Sequence, residues 1–158
     1  MVPDDFAVPE RLESDRFVLR PLTIHDAVKE FEPVMTSREH LAGVFGPDSD
    51  WPRDDWSLEQ DLIDLGWHRK EFQIRSSFTY RVVTPDESQV PGCVYLLPSG
   101  KRDVHCAVYF WVRSSERSNG LDAALDAALR RWLNERWPFR NPVFPCRSIA
   151  WPGWDALA

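Results

Sequence analysis

The chain has 158 residues, 43% of them hydrophobic and 13% aromatic, and a formal net charge of −6. That length suits one domain with one sizeable core, so residues 1–158 are expected to fold as a single unit. The acidic balance is spread along the chain with no basic stripe interleaved with aromatics, which argues against nucleic acid as a partner.

Met1–Val8 (MVPDDFAV) carries acids where a secretory leader has a basic region and an apolar run, and no later segment approaches membrane-spanning length. The expectation is a cytoplasmic protein with no membrane partner. Arg16–Leu22 (RFVLRPL) sets Phe17 and Leu19 against Arg16, Val18 and Arg20 and stops at Pro21, as a first strand does. Thr23 then offers an N-cap to HDAVKEFEPVMTS, where Ala27, Phe31 and Val34 recur at helical spacing and Pro33 is expected to split the helix in two. Residues 43–56 (GVFGPDSDWPRDDW), rich in Gly, Pro and Asp, read as a surface loop. Ser57 and Gln60 form a capping box, and Leu58, Leu62, Leu65 and Arg69 trace one face of an amphipathic second helix running to about Lys70.

Three strand-like runs follow, Ser77–Thr84, Gly92–Pro98 and Val104–Arg113, joined by short turn-rich linkers; they predict an antiparallel meander. The third is apolar almost throughout, as suits a strand covered on both faces. Residues 120–136 place Leu121, Leu125, Ala128, Leu129, Trp132 and Leu133 on one stripe, with Arg130, Arg131 and Arg136 toward the C-terminal end, where the helix dipole favours them. Pro138 stops this helix, and Val143–Trp151 is expected to form a last, Pro-interrupted strand. The order predicts an α/β (α+β) fold. A mixed, mostly antiparallel sheet should carry helices 25–36 and 57–70 on one face and 120–136 on the other.

A loop that leaves a buried strand and opens a helix presents unpaired backbone N–H groups, and the helix dipole favours an anion there. Arg113–Leu125 (RSSERSNGLDAAL) occupies that junction. It resembles the pyrophosphate loop Q/R-x-x-G-x-G/A of the GNAT-type acyl-CoA N-acyltransferases: Arg117 and Gly120 match, and Asp122 stands where the family has Gly or Ala. Leu12–Ala27 (LESDRFVLRPLTIHDA) is similar to the opening L-E-T-x-R-L-x-L-R-P-L-x-x-x-D-A of the branch of ribosomal-protein alanine acetyltransferases, and Tyr109–Arg113 (YFWVR) resembles that branch's fourth strand. The resemblance covers residues 9–137.

What the resemblance implies is transfer of an acetyl or other acyl group from acyl-CoA, bound as co-substrate, to an amine on a small molecule or a protein N-terminus. The backbone of Phe110, Trp111, Val112 and Arg113 is then expected to hold the pantetheine arm. The N–H groups from Arg117 through Ser118, Asn119, Gly120 and Leu121 to Asp122 are expected to hold the pyrophosphate. The Asp122 carboxylate either repels that anion, caps its own helix or pairs with Arg117. The family fold continues with a fifth strand, a fourth helix and further strands, whereas few residues follow Trp137. The C-terminal half of the acceptor site is therefore expected to be absent, reshaped or supplied by a second subunit, and a homodimer through residues 143–154 is predicted.

No general acid carries over from the family, and the general base is open among Glu71, His105 and Tyr109, each with a plainer reading as a solvated charge, a hydrogen-bonded histidine and a packed aromatic. The three cysteines, Cys93, Cys106 and Cys146, lie in apolar surroundings without a CxxC pair and read as reduced thiols. The histidines form no HxxxH or HxH cluster, so no bound metal is predicted. Trp111 and Trp132 fall at core spacing, while Trp151 and Trp154 pack on their own domain or on a partner. Ser76 and Ser77 lack a Ser-His-Asp pattern. The second functional class consistent with Asp122 and the short C-terminal part is a catalytically silent module that binds a protein or CoA without turnover.

Overall fold

Successive side chains of a strand point to opposite faces, so a sheet whose strands are apolar on both sides must be covered twice. In the computed structural model, which describes residues 1–158, β1 (Leu12–Glu13), β2 (Val18–Pro21), β3 (Phe78–Val83), β4 (Gly92–Leu97) and β5 (Ala107–Val112) form one antiparallel sheet in chain order. The helices are α1 (Ala27–Thr36), α2 (Arg38–Leu41), α3 (Leu58–Gln73), α4 (Ser114–Arg117), α5 (Leu121–Arg136) and α6 (Trp151–Asp155). Helix α5 lays Leu121, Leu125, Leu129, Trp132 and Leu133 on the face that presents Leu19, Tyr80, Val94, Val108 and Phe110. The opposite face carries Arg20, Arg81, Cys93, Tyr95 and Trp111 beneath α1, α3 and the 43–56 loop. Gly92 lets β4 and β5 close up: a Cβ there stands 2.2 Å from the Trp111 carbonyl oxygen.

The predicted architecture holds, with local corrections. Pro33 does not split the first helix. It is buried inside α1, and the break falls at Ser37 (φ −112°, ψ 8°) before α2. Packing of Glu30, Pro33 and Val34 on the sheet offsets the one backbone bond that proline removes. Helix α3 begins at the expected capping box but ends at Gln73, and its buried face is not the leucine stripe. Asp61 and Leu65 are buried, whereas Leu58 is 42% and Leu62 46% exposed. The sheet beneath is polar at Thr79 and Arg81, and α3 turns a polar side toward it.

The expected last strand is reduced to isolated parallel bridges, Ala107 with Val143 and Pro145 with Ile149, because Pro142 and Pro145 supply no N–H donors. Trp151 stacks on Tyr109 and Trp154 is buried with Val104 and Ala107, so the tail packs on its own domain. Trp111 and Trp132 lie in the core as their spacing predicts. Cys93 and Cys106 are buried thiols, but Cys146 is exposed, because its turn projects from the sheet. No helix is long and apolar enough to cross a membrane, and no group of three or more His, Cys, Asp or Glu is placed to hold a metal ion.

The fully buried charge is Arg81, held by the two carboxylate oxygens of Glu30 on α1. Burial pulls the Arg81 guanidinium down, but the Glu30 carboxylate outweighs it and the group stays protonated. Burial pushes Glu30 up to about 7 against the attraction of Arg81. Alongside, Arg20 grips Asp26 through two bonds of 3.0 and 2.7 Å, and Trp56 Nε1 donates to Asp61 at 3.2 Å. Removing one member of a buried pair strands the other charge, which typically costs about 3–5 kcal/mol, whereas replacing both by apolar groups is close to neutral. Arg81→Met and Glu30→Gln should each lower urea-denaturation stability by that order, and the Arg81→Met/Glu30→Leu double variant should recover most of the loss.

Candidate functional site

One backbone edge of β5 bonds to β4, and in an antiparallel pair the next residue's N–H and C=O face the other way. Residues 106, 108, 110 and 112 thus point outward. Val143 uses the first part of that edge: its N–H donates to Cys106 O at 2.9 Å and its carbonyl accepts from Val108 N–H at 2.8 Å. Pro145 has no donor with which to continue the ladder, and the chain leaves β5 through a turn with Cys146 at φ 64°. That turn closes on itself, Cys146 N–H donating to Ile149 O (2.8 Å), and Arg147 and Ser148 N–H to Phe144 O (3.1 and 2.8 Å). The edge of β5 at Phe110 and Val112 is left without a backbone partner.

A cavity of about 320 Å³ fills the wedge between β5 and the departing chain. Tyr109, Phe110, Pro145 and Cys146 form its sides, Ala42–Val44 roofs it, and Arg117, Asp122, Arg147 and His40 stand at its polar end. A second hollow of about 580 Å³ adjoins it through His40, between Met35–Glu39 and Ser114. The loop singled out in the sequence forms this polar end. Gly120 adopts φ 74°, the left-handed turn that brings α4 into α5, and the first α5 bond is Ala124 N–H to Gly120 O at 3.2 Å. The N–H groups of Leu121, Asp122 and Ala123 precede it and have no partner within the helix. Arg16 Nη2 holds the loop through Asn119 O at 2.7 Å, and Ser114 N–H is anchored to Ser37 Oγ at 3.0 Å.

The charged groups here are paired in ways the sequence did not disclose. Asp122 neither caps α5 nor pairs with Arg117: both its oxygens accept from Arg147, at 2.8 Å each. The Arg147 guanidinium holds the Asp122 carboxyl below the usual carboxylate range. Its Nη2 also lies 3.5 Å from Phe110 O, and the guanidinium sits 3.5 Å above the Phe110 ring. Arg117 meets His40 instead, with Nη1 2.8 Å from Nδ1. An arginine only donates, so Nδ1 accepts; the imidazole hydrogen is then on Nε2, which donates to Val112 O at 3.2 Å. Burial, then Arg117, lower the pKa of His40 and keep the ring neutral.

Of the three candidate bases, Tyr109 alone lines the cavity. Burial, with Asp155 nearby, raises its phenol above the usual value, so it stays protonated and is a proton donor rather than a base. Glu71 lies on α3, accepting from Ser77 Oγ at 2.8 Å and standing 3.5 Å from His68 Nδ1. His105 is exposed ahead of β5, its backbone N–H bonded to Arg140 O, so the alternation that paired it with Tyr109 does not reach it. His40 and Arg147 were not singled out from the sequence. His40 meets partners more than seventy positions away. Arg147 carried one signal, as the single basic residue after Arg140.

No family model matches the chain, and no curated protein matches it by sequence. Solved structures match it in fold. The Vibrio fischeri ribosomal-protein-S5-alanine acetyltransferase is 18% identical, with 78% of this chain and 66% of that one covered at a TM-score of 0.62. The microcin C7 self-immunity acetyltransferase MccE, in complex with acetyl-CoA and AMP, is 9% identical, with 82% and 71% covered at 0.64. An assigned GnaT-family acetyltransferase from Bordetella pertussis is 17% identical, with 80% and 73% covered at 0.57. The chain therefore has the GNAT acetyltransferase fold.

The His40 assignment has a direct check. Its NMR titration should run through a midpoint below the ordinary histidine value of about 6.5, with the hydrogen on Nε2 in the neutral form. Arg117→Ala should move that midpoint upward.

Proposed function

We propose that this chain is an N-acyltransferase that moves an acetyl or other acyl group from acyl-CoA to an amine. The observation that carries the reading is the open backbone edge of β5 at Phe110 and Val112, leading directly to the unpaired N–H groups at the start of α5. Amide groups of a pantetheine arm match such an edge, and a diphosphate matches the N–H groups and arginines beyond it. Solved structures with this fold include one bound to acetyl-CoA, which supports the same reading.

In the proposed reaction the backbone from Phe110 to Arg113 orients the thioester beside the wedge, and the segment Arg117–Asp122 holds the diphosphate. Positioning of this kind supplies much of the rate in a direct transfer between two bound reactants. The amine nitrogen bonds to the thioester carbonyl carbon, the C–S bond breaks, and the ammonium proton leaves to water through the cavity mouth. Tyr109, kept protonated by burial, gives its proton to the departing thiolate, and water returns to its phenolate the proton released by the ammonium, so that amide and free thiol are the only products. The reduced cysteines accord with a cytoplasmic setting.

A silent CoA-binding module is the second reading, favoured by one observation: the only carboxylate lining the cavity, Asp122, is engaged by Arg147. Two measurements separate the readings. Acetyl-CoA should raise the melting temperature, since a ligand of the native state stabilises it. Acetyl transfer to an amine panel should then fall about 100-fold or more in kcat in Tyr109→Phe, with little change in acetyl-CoA affinity. Binding without turnover in the wild type selects the silent module, and no binding at millimolar concentration removes both.

The assembly we infer is a homodimer that uses residues 143–154, of which Ile149 and Trp151 keep part of their apolar surface outside. Light scattering at high micromolar concentration should give twice the chain mass of 18.4 kDa; a clean monomer overturns it.

A further inference from the structure

We propose that Asp122 and Arg147 form a latch across the groove, and that Arg147 is the side chain that takes the diphosphate of acyl-CoA when the latch opens. The inference rests on the acyl-CoA reading above and adds a binding residue from outside the loop that the sequence singled out. Arg147 lies over the Phe110 ring, within 3.5 Å of the Phe110 carbonyl, and reaches Asp122 in the first turn of α5. It thus bridges the two places that the reading assigns to the pantetheine arm and the diphosphate. A ligand that spans them must displace this guanidinium or share it.

Sharing is favoured by the chemistry. The pair is partly exposed, with 28% of the Arg147 side chain and 24% of the Asp122 side chain open to solvent, so water screens it and it can exchange partners. A diphosphate offers more charge and more acceptor oxygens than one carboxylate, and a guanidinium's planar fork suits phosphate oxygens. The turn that carries Arg147 is fixed by its bonds to Phe144 and Ile149, so the side chain pivots from a firm base. On the far side Arg117 is held by His40 and lines the same cavity. With both arginines charged, the polar end has a net charge favourable to an anion despite Asp122. Without Arg147, Asp122 meets the anion bare.

The test measures binding of CoA, of pantetheine and of inorganic pyrophosphate by calorimetry or NMR titration to the wild type, Arg147→Gln, Asp122→Asn and the double variant. The expected result is that Arg147→Gln weakens CoA and pyrophosphate by at least about 30-fold and leaves pantetheine within about twofold. Asp122→Asn should tighten CoA about tenfold, and the double variant should return near the wild type. If Arg147→Gln leaves CoA unchanged, the pair is structural and the proposal fails while the acyl-CoA reading stands. If it tightens CoA and pantetheine alike, Arg147 is only a plug, and the proposal fails again. Should the wild type bind neither CoA nor pantetheine, the acyl-CoA reading is the one that fails. Pyrophosphate binding that depends on Arg147 then keeps the anion site, and its absence removes that too.

Discussion

A full positive charge sits at the centre of the sheet, and much of the arrangement follows from it. Arg81 on β3 is completely buried, so it must be matched by a carboxylate that reaches it in the dry interior. Glu30 on α1 supplies that partner, which fixes where α1 crosses the sheet. Asp26, which stands just ahead of α1 and accepts from Thr23 N–H, is drawn into the same network through Arg20 on β2. The polar centre also decides the roll of α3, which presents Asp61 and His68 inward. Ile63 and Trp67 are left 56% and 57% exposed in consequence. The other face of the sheet carries no such charge, and there α5 packs by its apolar stripe alone.

The candidate site depends on a different constraint, the point at which the chain stops pairing with β5. Val143 completes one turn of a parallel ladder, Pro145 cannot extend it, and the resulting wedge exposes backbone groups that a longer strand would cover. An unpaired backbone edge in an otherwise covered sheet is uncommon, because buried N–H and C=O groups left without partners are costly. Here two polar side chains satisfy the exposed carbonyls: His40 at Val112 and Arg147 at Phe110. Both side chains come from distant parts of the chain, and no backbone strand covers these carbonyls.

What was legible in the sequence is what local patterning controls. The strand runs of β3 to β5, the capping box at Ser57, the stripe of α5 and the turn at Gly120 all depend on neighbours a few residues away, and all are found close to their expected places, although β5 begins at Ala107 rather than at Val104. The leucines of α3 misled because the pattern cannot reveal that the surface beneath is charged. The break at Pro33 misled because packing outweighed one missing bond. In the site, Gly120 and Asp122 were marked by a motif, but the partner of Asp122 lies 25 positions away on a turn with no signature. Side-chain pairings across the fold follow from topology, and a single sequence carries little of that.

The loop at 43–56 shows how the two halves of the structure meet at the cavity. Phe45 packs edge-on against Tyr95 and Trp51, with centroids 4.9 and 5.2 Å away, and its ring is 5.5 Å from Tyr109; Trp51 in turn lies 6.2 Å from Trp111. These contacts hold Ala42–Val44 over the wedge as a wall, even though the segment is rich in turn-forming residues. On the opposite side Trp151 stacks on Tyr109, so the tyrosine is clasped between the loop and the C-terminal helix. Water is kept from much of the ring, and this burial, with Asp155 nearby, is the physical origin of the raised phenol pKa. The aromatic residues of the loop and the C-terminal helix thus set the environment of the one phenol that lines the cavity, beside His40, Cys146 and the arginines.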